Sequence, residues 1–375
     1  MGAAANRIKN MAEGLYNFGN KITVICPLPN YPKGRVFKNY RGVFYKKEKV
    51  NNIYINRYWI YPSISKNPLV RFLSMISFAL TLWFSIFKLI KNKPDLFIIQ
   101  SPPLFIALSA LMLSKVLGVK NILNVSDIWP LSALELGVIK RGKFYSLLEK
   151  IEKWNYSLSD KIVGQSDEII DHVKSIVDKP TSVYRNVPIF KEYSVKERSE
   201  SIRVVYAGLL GYAQGILNLC KNVNFKELGV ELHLYGAGME EEDIIEYIKK
   251  SNDQIFFHGS ISAQEIKKCI RKYDVALIPL LNTIKGAVPS KIFEQMQLGM
   301  PILYVGEGEA SKIIIDNKIG CVSKPSDFEA LKNNILYFNK ISKIEYIKLS
   351  NNCLDIHKRE FHLKNQIEII RKLIY

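Results

Sequence analysis

The chain has 375 residues, 48% of them hydrophobic and 23% charged, a balance that excludes a disordered protein and leaves room for two ordinary domains. Its five cysteines, Cys26, Cys220, Cys269, Cys321 and Cys353, show no CxxC or CxxH spacing, which argues against a zinc site or a disulfide framework. The net charge of +18 is concentrated in the first half: residues 1–186 hold 27 Lys and Arg against 12 Asp and Glu, or +15, and the remainder hold 26 against 23, or +3. That half is also the more apolar, so an anionic membrane surface is a better partner for it than nucleic acid.

Short apolar runs alternate with helical periodicity along the chain. Lys21–Pro27, Asp95–Ser101, Asn121–Ser126 and Lys161–Gln165 read as buried strands of one parallel sheet. Between the first two lies Leu69–Ile90, a stretch long and apolar enough to cross a bilayer, with Arg71 and Lys88 near its ends. Three readings fit it: a helix lying on or dipping into a membrane surface, a helix covering the sheet, or a single span. The span is least compatible with the strand at Asp95–Ser101, which follows at once and is expected to join the sheet of Lys21–Pro27. After Asn186 a second series begins. Arg203–Ala207, Glu231–Tyr235, Ile255–His258, Asp274–Pro279 and Pro301–Val305 read as its strands. The expectation is α/β, with two Rossmann-like domains over 1–186 and 187–354. The amphipathic stretch Asp355–Tyr375 is read as a terminal helix packing back toward the first domain.

Glycines follow four strands of the second series: Gly208 and Gly211 with Gln214, Gly236 and Gly238, Gly259, and Gly306 and Gly308. Glycine at strand ends lets backbone N–H groups approach phosphate, so these loops suggest a cleft for a nucleoside diphosphate. Glu241 stands where the third glycine of a dinucleotide fingerprint would be, which disfavours NAD, and neither a Walker A loop nor an Asp-x-Asp pair is present. No metal is implied. The segment Gly286–Pro301 is the most informative. Pro289 and Ser290 open a helix, Lys291 sets a cation in its first turn, and Glu294 lies one turn on, where a carboxylate can accept from ribose hydroxyls. A capped helix with an ordinary surface Lys and Glu reads equally well from the spacing.

These stretches resemble the retaining family 4 glycosyltransferases of the GT-B fold, in the branch that builds O-antigen and capsule repeats, of the L-N-acetylfucosamine transferase type. Gly2–Arg7 with Pro29–Gly34, Ser101–Leu104, Ser126–Pro130, Tyr206–Gly215, Gly286–Pro301 and Gly306–Ser311 carry the match. The resemblance implies a nucleotide-sugar donor, UDP-linked, held by the second domain. Glu294 would bind its ribose and Lys291 its leaving diphosphate, with Ser290, Gly208, Gly211, Gln214, Gly236 and Gly238 around it. It implies a polyprenyl-diphosphate-linked glycan as acceptor on the first domain, where Asp127 orients a sugar or accepts a proton. The protein would then be peripheral on the cytoplasmic face of the plasma membrane.

Two departures bear on this. Many family members carry an acid eight positions before Glu294, where this chain has Gly286, so an acid contacting the donor sugar is expected to be missing or to be supplied by Glu307 or Glu309. Members also begin with a strand ahead of the Gly-Ala-Ala-Ala loop; this chain starts inside that loop, so the expectation is either a start that lies upstream of Met1 or a missing first strand of the N-terminal domain. A catalytically inactive partner subunit and a sugar-nucleotide 2-epimerase are the competing readings.

Overall fold

The computed structural model of the chain describes residues 3–31, 34–63, 65, 68–189, 191–281 and 284–374. Gly2, Pro32 and Lys33, which contribute to the resemblance, lie outside the described residues, as does the side chain of Arg71. The chain forms two compact units, Met1–Asn186 with Leu363–Tyr375, and Val187–His362.

The first unit runs α1 (Ala3–Asn17), β1 (Thr23–Pro27), β2 (Tyr45–Val50), β3 (Ile53–Tyr58), α2 (Pro68–Thr81), α3 (Ile86–Lys91), β4 (Leu96–Ser101), α4 (Leu104–Val116), β5 (Lys120–Val125), α5 (Leu131–Glu135), α6 (Lys143–Leu158), β6 (Lys161–Gly164), α7 (Asp167–Ile176) and β7 (Thr181–Val183). The expected single sheet is in fact two. β4-β5-β6-β7 is parallel throughout, whereas β1 pairs in parallel with β3, which pairs antiparallel with β2. The physical reason is that β1 finds its hydrogen-bond partner in the β2–β3 hairpin, and no strand among the described residues bridges β1 to β4. Side chains alternate across the larger sheet as pleating requires. Ile99, Leu123 and Ile162 pack under α4 on one face, and Ile122 and Val163 meet Met11 and Leu15 of α1 on the other.

The apolar segment after Pro68 is an α-helix, a short 3-10 turn at Leu82–Ser85 and a second α-helix. One side is built into the unit. Phe78 and Leu82 sit in a core cluster with Tyr58, Ile60 and Leu113, the Thr81 hydroxyl donates to the Trp59 carbonyl at 2.7 Å, and that of Ser109 donates to the Ala79 carbonyl at 2.6 Å. This side is packed as a helix covering the sheet would be, while the stretch Phe72–Lys91 is long and apolar enough to cross a membrane, with 28% of it buried. The outward side stays bare: Leu80, Phe87 and Ile90 are 64%, 68% and 64% exposed.

The second unit runs β8 (Arg203–Ala207), α8 (Ile216–Asn222), β9 (Glu231–Tyr235), α9 (Glu241–Lys250), β10 (Ile255–Phe257), α10 (Ala263–Cys269), β11 (Val275–Pro279), α11 (Ser290–Gln297), β12 (Ile302–Val305), α12 (Glu309–Asp316), β13 (Gly320–Ser323), α13 (Phe328–Lys340) and α14 (Lys343–Arg359). Its six parallel strands are ordered β10-β9-β8-β11-β12-β13. Such a sheet is buried on both faces, hence strands as apolar as Val275–Pro279, all five residues of which are buried. The terminal helix expected over 355–375 is instead the end of α14 and a separate α15 (Leu363–Ile374). The break falls after Arg359, where His357, Lys358 and Arg359 close the last turn of α14. Ile367 and Ile370 of α15 are buried against Met11 and Leu15 of α1.

Candidate functional site

In the second unit the parallel order puts every strand's carboxyl end on one edge, and the glycine loops collect there. They touch backbone to backbone. Gly208 N–H donates to Tyr235 O at 2.9 Å, Leu210 N–H to Ala237 O at 3.0 Å, and Gly236 N–H to Gly259 O at 2.9 Å. Gly236 has φ +149°, and a Cβ there would sit 1.8 Å from the Gly208 carbonyl oxygen. Only glycine fits so close an approach.

Lys291 reaches this floor from the first turn of α11. A Cβ on Gly208 would lie 2.0 Å from its Nζ, and its ammonium sits 4.8 Å from the centre of the Tyr206 ring. Desolvation pushes the Lys291 ammonium down from its ordinary 10.5 to about 8, with Glu294 opposing. Crowding raises the Glu294 carboxyl from its ordinary 4.5, opposed by Lys291 and then Lys267, although the side chain opens to solvent. A partly dehydrated ammonium over a bare glycine backbone, at a helix start, can bind a phosphate oxygen; a carboxylate three residues on can accept from sugar hydroxyls.

The other expected residues fall nearby or apart as follows. Gln214 lies in the turn after β8, its N–H donating to Gly211 O at 3.0 Å, and Gly238 follows β9. Ser290 is the first residue of α11. Of the two acids raised in place of an earlier one, Glu309 is 7% exposed in the first turn of α12, whereas Glu307 is exposed and 4.0 Å from Lys324.

Sequence reading missed an aromatic patch beside these loops. His258 stacks on Tyr235 at 4.5 Å and 18°, and on His233 at 5.2 Å and 8°. His233 Nδ1 lies 2.9 Å from His258 Nε2, and its Nε2 lies 3.0 Å from Glu231. Burial lowers the pKa of both imidazoles, so they are neutral at pH 7, and they lie within a run of stacked rings from Phe256 through His233 and His258 to Tyr235. The signal was available: His233 and Tyr235 lie two positions apart on one strand, hence on one face, next to Gly236.

In the first unit Asp127 sits in the loop between β5 and α5, at the carboxyl end of its sheet. Burial raises its pKa, opposed by Ser132 and the Ile128 N–H, with Glu135 adding to the rise. Close by in sequence, Asn124 of β5 accepts at 2.7 Å from Arg7, which is 1% exposed and also donates to Tyr184 O at 2.8 Å. Among the described residues no group of three His, Cys, Asp or Glu is arranged to hold a metal.

The fold is GT-B, two Rossmann-like units. Sucrose-phosphate synthase (tll1590) from Thermosynechococcus elongatus matches with a TM-score of 0.72 over 98% of this chain and 91% of that one, at 14% identity. A structure described as "Trehalose-6-phosphate from E. coli bound with UDP-2-fluoro glucose" matches with 0.66 over 100% and 96%, at 11% identity. Within that fold, residues 201–339 match the family described as Glycosyl transferases group 1, so the second unit carries a group 1 glycosyltransferase domain. Two curated relatives are similar. The probable glycosyltransferase WbjE of Pseudomonas aeruginosa is 26% identical over 64% of this chain and 65% of its own length. The putative colanic acid biosynthesis glycosyl transferase WcaI of Escherichia coli (strain K12) is 32% identical over 56% of each. The chain thus spans less than two thirds of either relative.

Proposed function

We propose that the protein is a glycosyltransferase that moves a sugar from a UDP-linked donor to a polyprenyl-diphosphate-linked glycan, in the synthesis of a cell-surface polysaccharide such as O-antigen or capsule. The observation that carries this reading is Lys291 over Gly208. Breaking the anomeric bond builds negative charge on the leaving diphosphate, and a preorganised ammonium at a helix start stabilises that charge without reorganising. Glu294 holds the ribose. Asp127, its carboxyl raised by burial, orients or deprotonates the acceptor hydroxyl. The donor sugar is an acetamido sugar and the reaction retains configuration, both on the resemblance to the N-acetylfucosamine transferase branch. The name of one relative, a putative colanic acid biosynthesis glycosyl transferase, supports a role in polysaccharide synthesis.

The reaction takes place at the inner face of the plasma membrane, with the protein peripheral to it. The bare stripe Leu80, Phe87 and Ile90 and the +15 charge of residues 1–186 support this. The test is incubation with UDP-N-acetyl sugars and a diphosphate-lipid-linked monosaccharide. A mass increase of one sugar residue in the lipid product is expected. Donor consumption without a lipid product, or interconversion of the UDP-sugar alone, would favour hydrolase or epimerase chemistry and overturn the proposal.

A further inference from the structure

We propose that Tyr206 is a positioning residue of the donor site: its ring face holds the Lys291 ammonium and its hydroxyl holds the glycine loop, so that a diphosphate oxygen meets both in a fixed place. This rests on the reading of Lys291 and the loops given above and adds a residue to it. β8 and β11 are neighbours in the sheet, and α11 follows β11, which brings the start of α11 to the end of β8. Tyr206 is the penultimate residue of β8, 1% exposed, in a core cluster with Leu210 and Ile216.

Phe or Leu would fill such a core position, so the hydroxyl needs a reason. Burying a hydroxyl costs free energy unless it is hydrogen-bonded. This one donates to the Leu209 carbonyl at 2.6 Å and ties the turn after β8 back to its own strand. The next carbonyl along, that of Leu210, accepts from the Glu240 N–H at 3.0 Å, while the N–H groups of Gly208 and Leu210 are engaged by Tyr235 O and Ala237 O. Burial raises the phenol pKa and the Glu240 carboxyl adds to the rise, so the hydroxyl stays a donor. The loop from Gly208 to Leu210 is thus fixed bond by bond.

Lys291 comes to the same point from α11. The space that a Cβ on Gly208 would take is bounded by Lys291 Nζ at 2.0 Å and by the Tyr206 hydroxyl oxygen at 2.8 Å. A lysine stem is flexible, and its ammonium has no geometry of its own to hold it in place. Among the described residues this ammonium makes no ion pair; it rests 4.8 Å from the centre of the Tyr206 ring. An aromatic face attracts a cation and favours its charged form. The charged and titratable groups about the ammonium are Glu294 on its own helix, with Lys267 of α10 beyond it, and Tyr206 on β8, with Glu240 beyond it. Glu294 opens to solvent and is screened, whereas the ring is buried.

Two variants separate the ring from the hydroxyl. Tyr206→Leu removes both, and Tyr206→Phe removes the hydroxyl alone. Lys291 in the full-length protein is trace-labelled with acetic anhydride over a pH range spanning its pKa of about 8, with mass spectrometry as the readout, and UDP and uridine are titrated by calorimetry at pH 7. In Tyr206→Leu the Lys291 titration should move down by about half a pH unit or more, because loss of the ring disfavours the ammonium, and the preference for UDP over uridine should fall about tenfold. In Tyr206→Phe the titration should stay in place while the preference falls about threefold, because the loop is loosened and the ammonium is not. An unmoved Lys291 titration in Tyr206→Leu overturns the proposal. So does an undiminished preference for UDP in Tyr206→Phe, a reading that survives if the leucine variant does not fold. A lower melting temperature in both variants with neither reading changed would make the residue structural only and also overturns it. The labelling needs no ligand, so its outcome is separate from that of the donor reading, which fails if the wild-type protein shows no preference for UDP.

Discussion

Replacing Lys291 by Met should stabilise the empty protein while crippling it. A fall of the ammonium pKa from 10.5 to about 8 reports that burial disfavours the charged form. At ~1.4 kcal/mol per tenfold, and allowing for partial contact with solvent, the cost to the folded state is about 2–3 kcal/mol. The sign follows from proton uptake. Between about 8 and 10.5 the unfolded chain holds the proton that the folded protein has released, so stability rises with pH across that window. Below about 8 both states carry the charge and the folded protein bears the full cost. Lys291→Met keeps the volume and removes the charge. Its melting temperature at pH 7 should rise by about 5–10 °C, given ~2–4 °C per kcal/mol for a domain of this size. The gain should shrink to nothing by about pH 10.5. Differential scanning calorimetry of both proteins from pH 6.5 to 10.5 reads this directly. A variant less stable than wild type at pH 7, or a gain that does not change with pH, would refute the reasoning. A site that gains stability on losing its functional group has been strained for binding, not for folding.

Other outcomes follow from the same geometry. Glu294→Ala should weaken UDP-sugar binding by about 1–3 kcal/mol and leave acceptor affinity unchanged, measured by calorimetry. Gly236→Ala must accommodate a Cβ 1.8 Å from a carbonyl oxygen, and should lower stability by about 2–4 kcal/mol in urea unfolding. Asp127→Asn should cut sugar transfer by about 10²–10⁴-fold if the carboxylate moves the proton. The wild-type rate should fall on the acid side at a pH above the ordinary aspartate value, because burial raises this carboxyl, and the variant should lose that limb. Leu80→Asp with Phe87→Asp places charge on two residues 64% and 68% exposed, and should abolish flotation with phosphatidylglycerol vesicles while leaving the melting temperature within a few degrees. Unaltered flotation would remove the helical stripe from the membrane contact.

The second unit was legible because its strands are buried on both faces and read as continuous apolar runs, as in Val275–Pro279. Gly208, Gly236 and Gly306 then fall into place at the strand ends without further information. The first unit was harder. Tyr45–Val50 carries Lys46, Lys47, Glu48 and Lys49, so it looks like a solvated loop, yet it is an edge strand, where lysine is tolerated and guards against further pairing. Missing that hairpin led to β1 being assigned to the wrong sheet. The face of the helix after Pro68 could not be read either, since Phe78 and Leu82 in the core are no more apolar than Leu80 and Phe87 outside it. For the site, spacing supplied Lys291 and Glu294 but not the distance that gives them meaning. Nothing in the sequence says that an ammonium on α11 overhangs a glycine more than eighty residues earlier. Arg7 was seen only as part of a loop, because its partners Asn124 and Tyr184 are distant in the chain.

The central claim is that Lys291 and the glycine loops form a diphosphate-recognising donor site, and titration calorimetry of UDP against uridine tests it most directly. UDP should bind at least tenfold more tightly than uridine to the wild-type protein at pH 7, and Lys291→Met should erase most of that difference while leaving uridine affinity unchanged. Equal affinities for UDP and uridine, or an undiminished preference for UDP in Lys291→Met, would contradict the account.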